Sequence, residues 1–177
     1  MSKQTKTYTK GIPMPIMIPL PIPIPKKVNW WNLWGHIKNI GVRAQPRKWR
    51  IEKDYILYIP WLKRYVCVPK GFVFDGASVP RIFWPIMSPT GLMLIAGLFH
   101  DVGYRYDCWF DVKHNPIYVG FGKTFFDGQI KEMGEWINDT VIIPYICWAG
   151  LFIGGCFTWT TRRKENRIAS DDFPAQS

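Results

Sequence analysis

Apolar and polar positions alternate along this chain with several different periods. From Ile12 to Pro25 every even position is Ile, Met or Leu, and every odd position is proline except Met17. Prolines at that density exclude a helix and leave polyproline II or another extended form, about 43 Å long at roughly 3.1 Å per residue. Loss of nearly every second N–H makes such a segment cheap to bury in a groove. An arm laid in a hydrophobic groove of a neighbouring subunit is the expectation, and an arm folded back on its own domain is the alternative. In "KKVNWWNLWGHIKNIG", Trp30, Trp31, Trp34 and Ile37 share one side of a short helix flanked by Lys26, Lys27 and Lys38. That pattern suits an interfacial amphipathic segment, or equally a helix packed on the domain. His36, with no acidic neighbour, reads as structural.

Residues 43–74 read as β-structure. "WRIEKDYILYI" alternates with period two, and "RYVCVPKGFVFDG" gives two short strands around a Pro69-Lys70-Gly71 turn. Residues 91–106 read as a buried helix begun by Ser88-Pro89-Thr90. Residues 108–123 read as a loop or short hairpin, and "TFFDGQIKEMGEWIND" as a second helix with Thr124 at its N-cap. From Thr140 to Thr161 no residue is charged, enough to span a bilayer as a helix or to form a fully buried core element. If it spans, the "RRK" after it faces the cytoplasm.

Composition narrows the classes. A chain of 177 residues with 47% hydrophobic residues holds one domain with a sizeable core plus tails. Its net charge of +10 and ten tryptophans favour an anionic partner, either a lipid surface or nucleic acid. No nucleic-acid motif accompanies the charge. Cys67, Cys108, Cys147 and Cys156 show no metal-ligand spacing among themselves, so they read as small buried hydrophobes rather than a zinc site or disulfide framework. The amino-terminal apolar run is broken by prolines and does not read as a signal peptide.

One stretch carries candidate chemistry, "GLFHDVGYRYD". On a helix, His100 and Tyr104 are i and i+4 on one face, with Asp101 about 100° round. If the next helix packs antiparallel, Asp127 reaches His100 and fixes its tautomer. His100 is then a general base for water, with Asp127 and Tyr104 as its catalytic partners, and Asp101 a ligand for a divalent cation such as calcium. Asp75, in "FDGASVPR", is a second candidate metal ligand; its bland reading is a turn in which the carboxylate holds backbone amides. The bland reading of the His100 cluster is a satisfied polar group in a core.

"VPKGFVFDGASVPRIFW", then "GLFHDVGYR", then "FFDGQIKEMG" resembles an uncharacterised family common in bacteriophage and prophage genomes, the domain of unknown function 1353, over roughly residues 50–136. That resemblance implies a phage origin and supplies no activity. More locally, the His-Asp-x-x-Tyr spacing of His100, Asp101 and Tyr104 resembles phospholipases A2. There the roles of base, calcium ligand and orienting carboxylate would fall to His100, Asp101 and Asp127. The glycine-rich calcium loop and disulfide framework of those enzymes are absent.

The resulting expectation is an α+β fold, a small antiparallel sheet followed by a helical His-Asp layer. It divides into a basic and proline-rich extended arm (1–27), a Trp-rich amphipathic segment (28–42), the α+β domain (43–139), an apolar helix (140–161) and a basic, polar tail (162–177). The functional expectation is a virion-associated structural protein, part of a larger assembly, contacting other virion proteins or membrane lipid during assembly or genome delivery. Its location would be the virion or the host membrane. A metal-dependent phospholipase-like or ester hydrolase is the alternative.

Overall fold

A computed structural model describes residues 11–21, 24, 27–43, 48–74, 91, 93–151 and 159. The fold is α+β, with two small antiparallel sheets. The first is ordered β1 (Met17–Pro19), β2 (Trp49–Ile51), β5 (Val73–Phe74). The second is ordered β3 (Tyr55–Ile59), β4 (Arg64–Val68), β6 (Trp109–Phe110), β7 (Pro116–Ile117). The helices are α1 (Leu33–Arg43), α2 (Leu94–Tyr106) and α3 (Gly122–Asn138), followed by a fourth, α4, over residues 142–151.

The period-two run from Trp49 to Ile59 is not one strand. Ile51, Tyr55, Leu57 and Ile59 are buried, and in an unbroken strand Lys53 would point inward with them. Burying that ammonium unpaired is prohibitive. The chain therefore bends at Glu52 and Lys53 and starts a second sheet at Tyr55. After the β3–β4 hairpin it returns to the first sheet through Pro69–Gly71. Gly71 takes φ +86° there, which a residue without Cβ adopts freely. Its N–H donates to Ile51 O at 2.7 Å. Residues 109–117 form a hairpin that extends the second sheet by pairing Phe110 with Cys67.

The arm folds back on its own domain, which corrects the expectation of a neighbour's groove for its described part. Met17 pairs with Ile51 and Pro19 with Trp49. Glu52 N–H donates to Ile16 O and Leu20 N–H to Lys48 O. The paired strand starts at Met17, the one interruption in the proline series. As the edge of its sheet, β1 tolerates Pro19. Farther out, Tyr55 Oη donates to Pro13 O at 2.8 Å.

Residues Leu94–Tyr104 of α2 are all buried because the helix is covered on two sides. Phe99 packs beneath Tyr55 of the second sheet and against Trp109. On the opposite side, Met93 lies by Gly134 and Gly103 by Phe126, so α2 and α3 run antiparallel. Trp109 is the centre of the core, meeting Phe99, Tyr118, Phe125 and Phe126, and its Nε1–H donates to Phe99 O at 2.8 Å. Helix α2 starts at Leu94 rather than 91; the Ser88-Pro89-Thr90 start signal lies outside the described residues. Helix α3 starts at Gly122, so Thr124 is inside it, and the N-cap is Phe121 with no side-chain cap.

Helix α4 lays Ile143, Cys147 and Leu151 against the core, the i, i+4, i+8 stripe of an amphipathic helix. Val141, Ile142, Tyr145 and Ile146 face outward. Among the described residues no helix is long and apolar enough to cross a membrane. Most of the uncharged run beyond 151 lies outside them.

Candidate functional site

The His100 face of α2 meets the Asp127 face of α3 inside the domain. His100 Nε2 lies 3.1 Å from Asp127 Oδ1, and Tyr104 Oη donates to the same oxygen at 2.6 Å. A carboxylate only accepts, so Nε2 carries the proton in this contact. The other carboxylate oxygen, Oδ2, takes a 2.5 Å contact from Lys123 Nζ, which also donates to Leu151 O at 3.1 Å. The rings of His100 and Tyr104 lie 4.0 Å apart between centroids, tilted by 37°, and Trp159 closes edge-on over Tyr104. His100 is 5% exposed and Asp127 3%.

Each member follows from helical spacing. His100 and Tyr104 are one turn apart on α2, and Lys123 and Asp127 one turn apart on α3, so two i, i+4 pairs face each other. Gly103 permits the approach: a Cβ there would sit 2.2 Å from Phe126 Cδ1. Burial alone would push the Asp127 carboxyl up, but hydrogen bonds from His100, Lys123 and Tyr104 outweigh it and hold the carboxyl below its usual range. Asp127 is thus an anion saturated by three donors.

The structure brings together His100, Tyr104 and Asp127, the three residues assigned to the candidate catalytic group, and adds Lys123. The same i, i+4 rule that paired His100 with Tyr104 points to Lys123. Asp101 is buried next to His100, its Oδ1 4.0 Å from Nδ1. It joins no group of three close His, Cys, Asp or Glu donors among the described residues. Asp75 lies outside the described residues. Chemically, the arrangement can hold His100 in one tautomer and one orientation. It does not present a face of the imidazole to bulk water.

A second polar group was not legible in the spacing of the cysteines. Asp54 of the β2–β3 connection, Cys67 of β4 and His114 of the β6–β7 turn place a carboxylate oxygen, Sγ and a ring nitrogen within 4.8 Å of one another.

Residues 49–134 match the family model described as "Protein of unknown function (DUF1353)", within two residues of the 50–136 expected from the motif block. No curated protein and no solved structure matches the chain. The matched stretch contains both sheets except β1, α2, and α3 as far as Gly134. It therefore includes all four residues of the buried cluster.

Proposed function

We propose that this chain, which carries a DUF1353 domain over residues 49–134, is a bacteriophage virion component that works by contact rather than catalysis. Its tryptophan segment would seat in the interfacial layer of a membrane. The observation that carries the reading is the exposure of that segment. Trp30 is 83% exposed and Trp34 80%, and Trp31, Leu33 and Ile37 join them. Contiguous apolar surface rimmed by polar groups marks an interaction site. Tryptophan is the residue best suited to the boundary between headgroups and acyl chains. Lys27 and Lys38 and the net charge of +10 favour an anionic surface. The phage setting rests on the motif block in the sequence.

The test is flotation of the full chain with vesicles of anionic or zwitterionic lipid. The expected result is co-flotation with anionic vesicles, weakened by salt and lost when Trp30, Trp31 and Trp34 are replaced by alanine. Absence of binding to either vesicle would reject the membrane and leave a neighbouring virion protein as the contact.

A hydrolase is the second reading, favoured by the 3.1 Å His100–Asp127 contact, which has the reach of a base and its orienting carboxylate. Against it stand the burial of His100 and the ammonium of Lys123 on that carboxylate. Calcium-dependent release of fatty acid by the wild type, lost in His100→Gln, would establish it.

A further inference from the structure

We propose that Asp54, Cys67 and His114 form a binding site for a thiophilic divalent cation, with zinc the best fit. In the β3–β4 ladder, Cys67 stands opposite Ile56, and Tyr65 opposite Tyr58. Directly opposed residues share a face, and Ile56, Tyr58 and Tyr65 are all exposed. Cys67 is therefore on the outer face of the sheet, yet it is 0% exposed. Asp54, of the same strand parity as Ile56, and His114, in the β6–β7 turn, come together over it.

Each donor is held from behind. Asp54 Oδ1 accepts Lys70 N–H at 2.7 Å, which leaves Oδ2 facing His114 Nε2 at 2.7 Å. The turn that carries His114 is caged by Asp111. Its Oδ1 accepts the N–H groups of Lys113 and Asn115, its Oδ2 accepts Asn115 Nδ2–H, and its carbonyl accepts His114 N–H. His114 itself is left-handed at φ 61°, a conformation that costs a non-glycine residue energy and clusters at functional positions. Hydrogen-bonded ligands on a braced turn are what a metal site needs beyond its first ligands.

Ligand chemistry selects the ion. Thiolate and imidazole together disfavour calcium and magnesium and suit zinc. Around a tetrahedral zinc these donors would lie about 3.3–3.6 Å apart, so Sγ, now within 4.8 Å of the other two, would close by up to about 1.2 Å and the His–Asp contact would open slightly. On binding, the Cys67 S–H bond breaks and its proton leaves to solvent. The proton that His114 Nε2 shares with Asp54 leaves that nitrogen, the imidazole taking the Nδ1–H tautomer, so that the sulfur and Nε2 lone pairs bond the metal. Asp54 and the nearby Asp111 add the negative charge that compensates the cation. The side chains of Asp54 and His114 are about one-third exposed, so the remaining coordination position faces solvent. Such a site pins the β6–β7 turn to the sheet and is remote in kind from the buried His100 cluster.

Cobalt(II) titrated into the purified full chain is the probe. The expected result is one equivalent bound, with a thiolate-to-cobalt charge-transfer band and tetrahedral ligand-field absorption, both bleached by zinc. Cys67→Ser should abolish the band, Cys108→Ser should keep it, and His114→Gln, a change at the surface, should weaken cobalt at least about tenfold. Should Cys67→Ser fail to fold, His114→Gln still decides. No charge-transfer band in the wild type, or unchanged affinity in His114→Gln, would overturn the proposal.

Discussion

At the scale of single residues, Asp127 is the group on which most depends. Replacing it with alanine strands the Lys123 ammonium and two hydrogen-bond donors in a largely dry site. A loss of about 3–5 kcal/mol is expected, as when one partner of a buried ion pair is removed. Lys123→Met, which leaves Asp127 two donors, should cost less. Chemical denaturation of the two variants checks the order. The pH dependence has a definite sign. The Asp127 carboxyl sits below its ordinary value of 3.8 in the folded chain. Its contribution is therefore fully present above about pH 4 and is lost as pH falls through the folded value. Asp127→Asn should accordingly flatten the acid limb of the stability curve, read by thermal melts between neutral pH and pH 3. The cluster was legible because helical periodicity relates His100 to Tyr104, and because an Asp between Phe126 and Ile130 needs a polar partner. The group at Asp54 was not, since His114 is 60 residues away and only sheet register brings the two together.

At the scale of elements, the antiparallel α2–α3 pair is set by close approach. Alanine favours a helix over glycine by about 1 kcal/mol, so propensity alone predicts that Gly103→Ala stabilises α2. The 2.2 Å clash with Phe126 reverses the sign. A net loss of about 1–3 kcal/mol is expected from overpacking, and a melting temperature at or above wild type would refute the packing described. The existence of both helices and of the strands near β4 and β5 was readable from periodicity and from the Pro69–Gly71 turn. Their division into two sheets was less so. Lys53 at an inward position was the available signal, and alternation on both sides masked it. Thr124 misled because threonine caps well in general, whereas here Phe121 precedes the first turn and Asp107 Oδ1 takes the Gly122 N–H at 3.2 Å. In the arm, proline alternation gave the extended form but not its partner. A strand with donors removed can pair with any edge, and β2 of its own domain supplies one.

At the scale of the whole molecule, two kinds of surface meet. The domain buries its ionic cluster and aromatic core, and the segments before it leave apolar side chains outward. Met14 and Ile16, which precede β1, and Ile18 on it are exposed as the tryptophans are. A net charge of +10 favours an anionic partner, and a membrane surface is the one proposed. The buried cluster holds the fold and the exposed tryptophans make the proposed contact, and one measurement tests that separation. It is the partition of the full chain between buffer and anionic vesicles, compared for wild type, Asp127→Ala at a temperature where it remains folded, and the triple Trp30, Trp31, Trp34→Ala variant. Asp127→Ala is expected to partition like wild type despite its lower stability, while the triple variant keeps the wild-type melting temperature and loses partition. Retained partition in the triple variant, or its loss in folded Asp127→Ala, would contradict it.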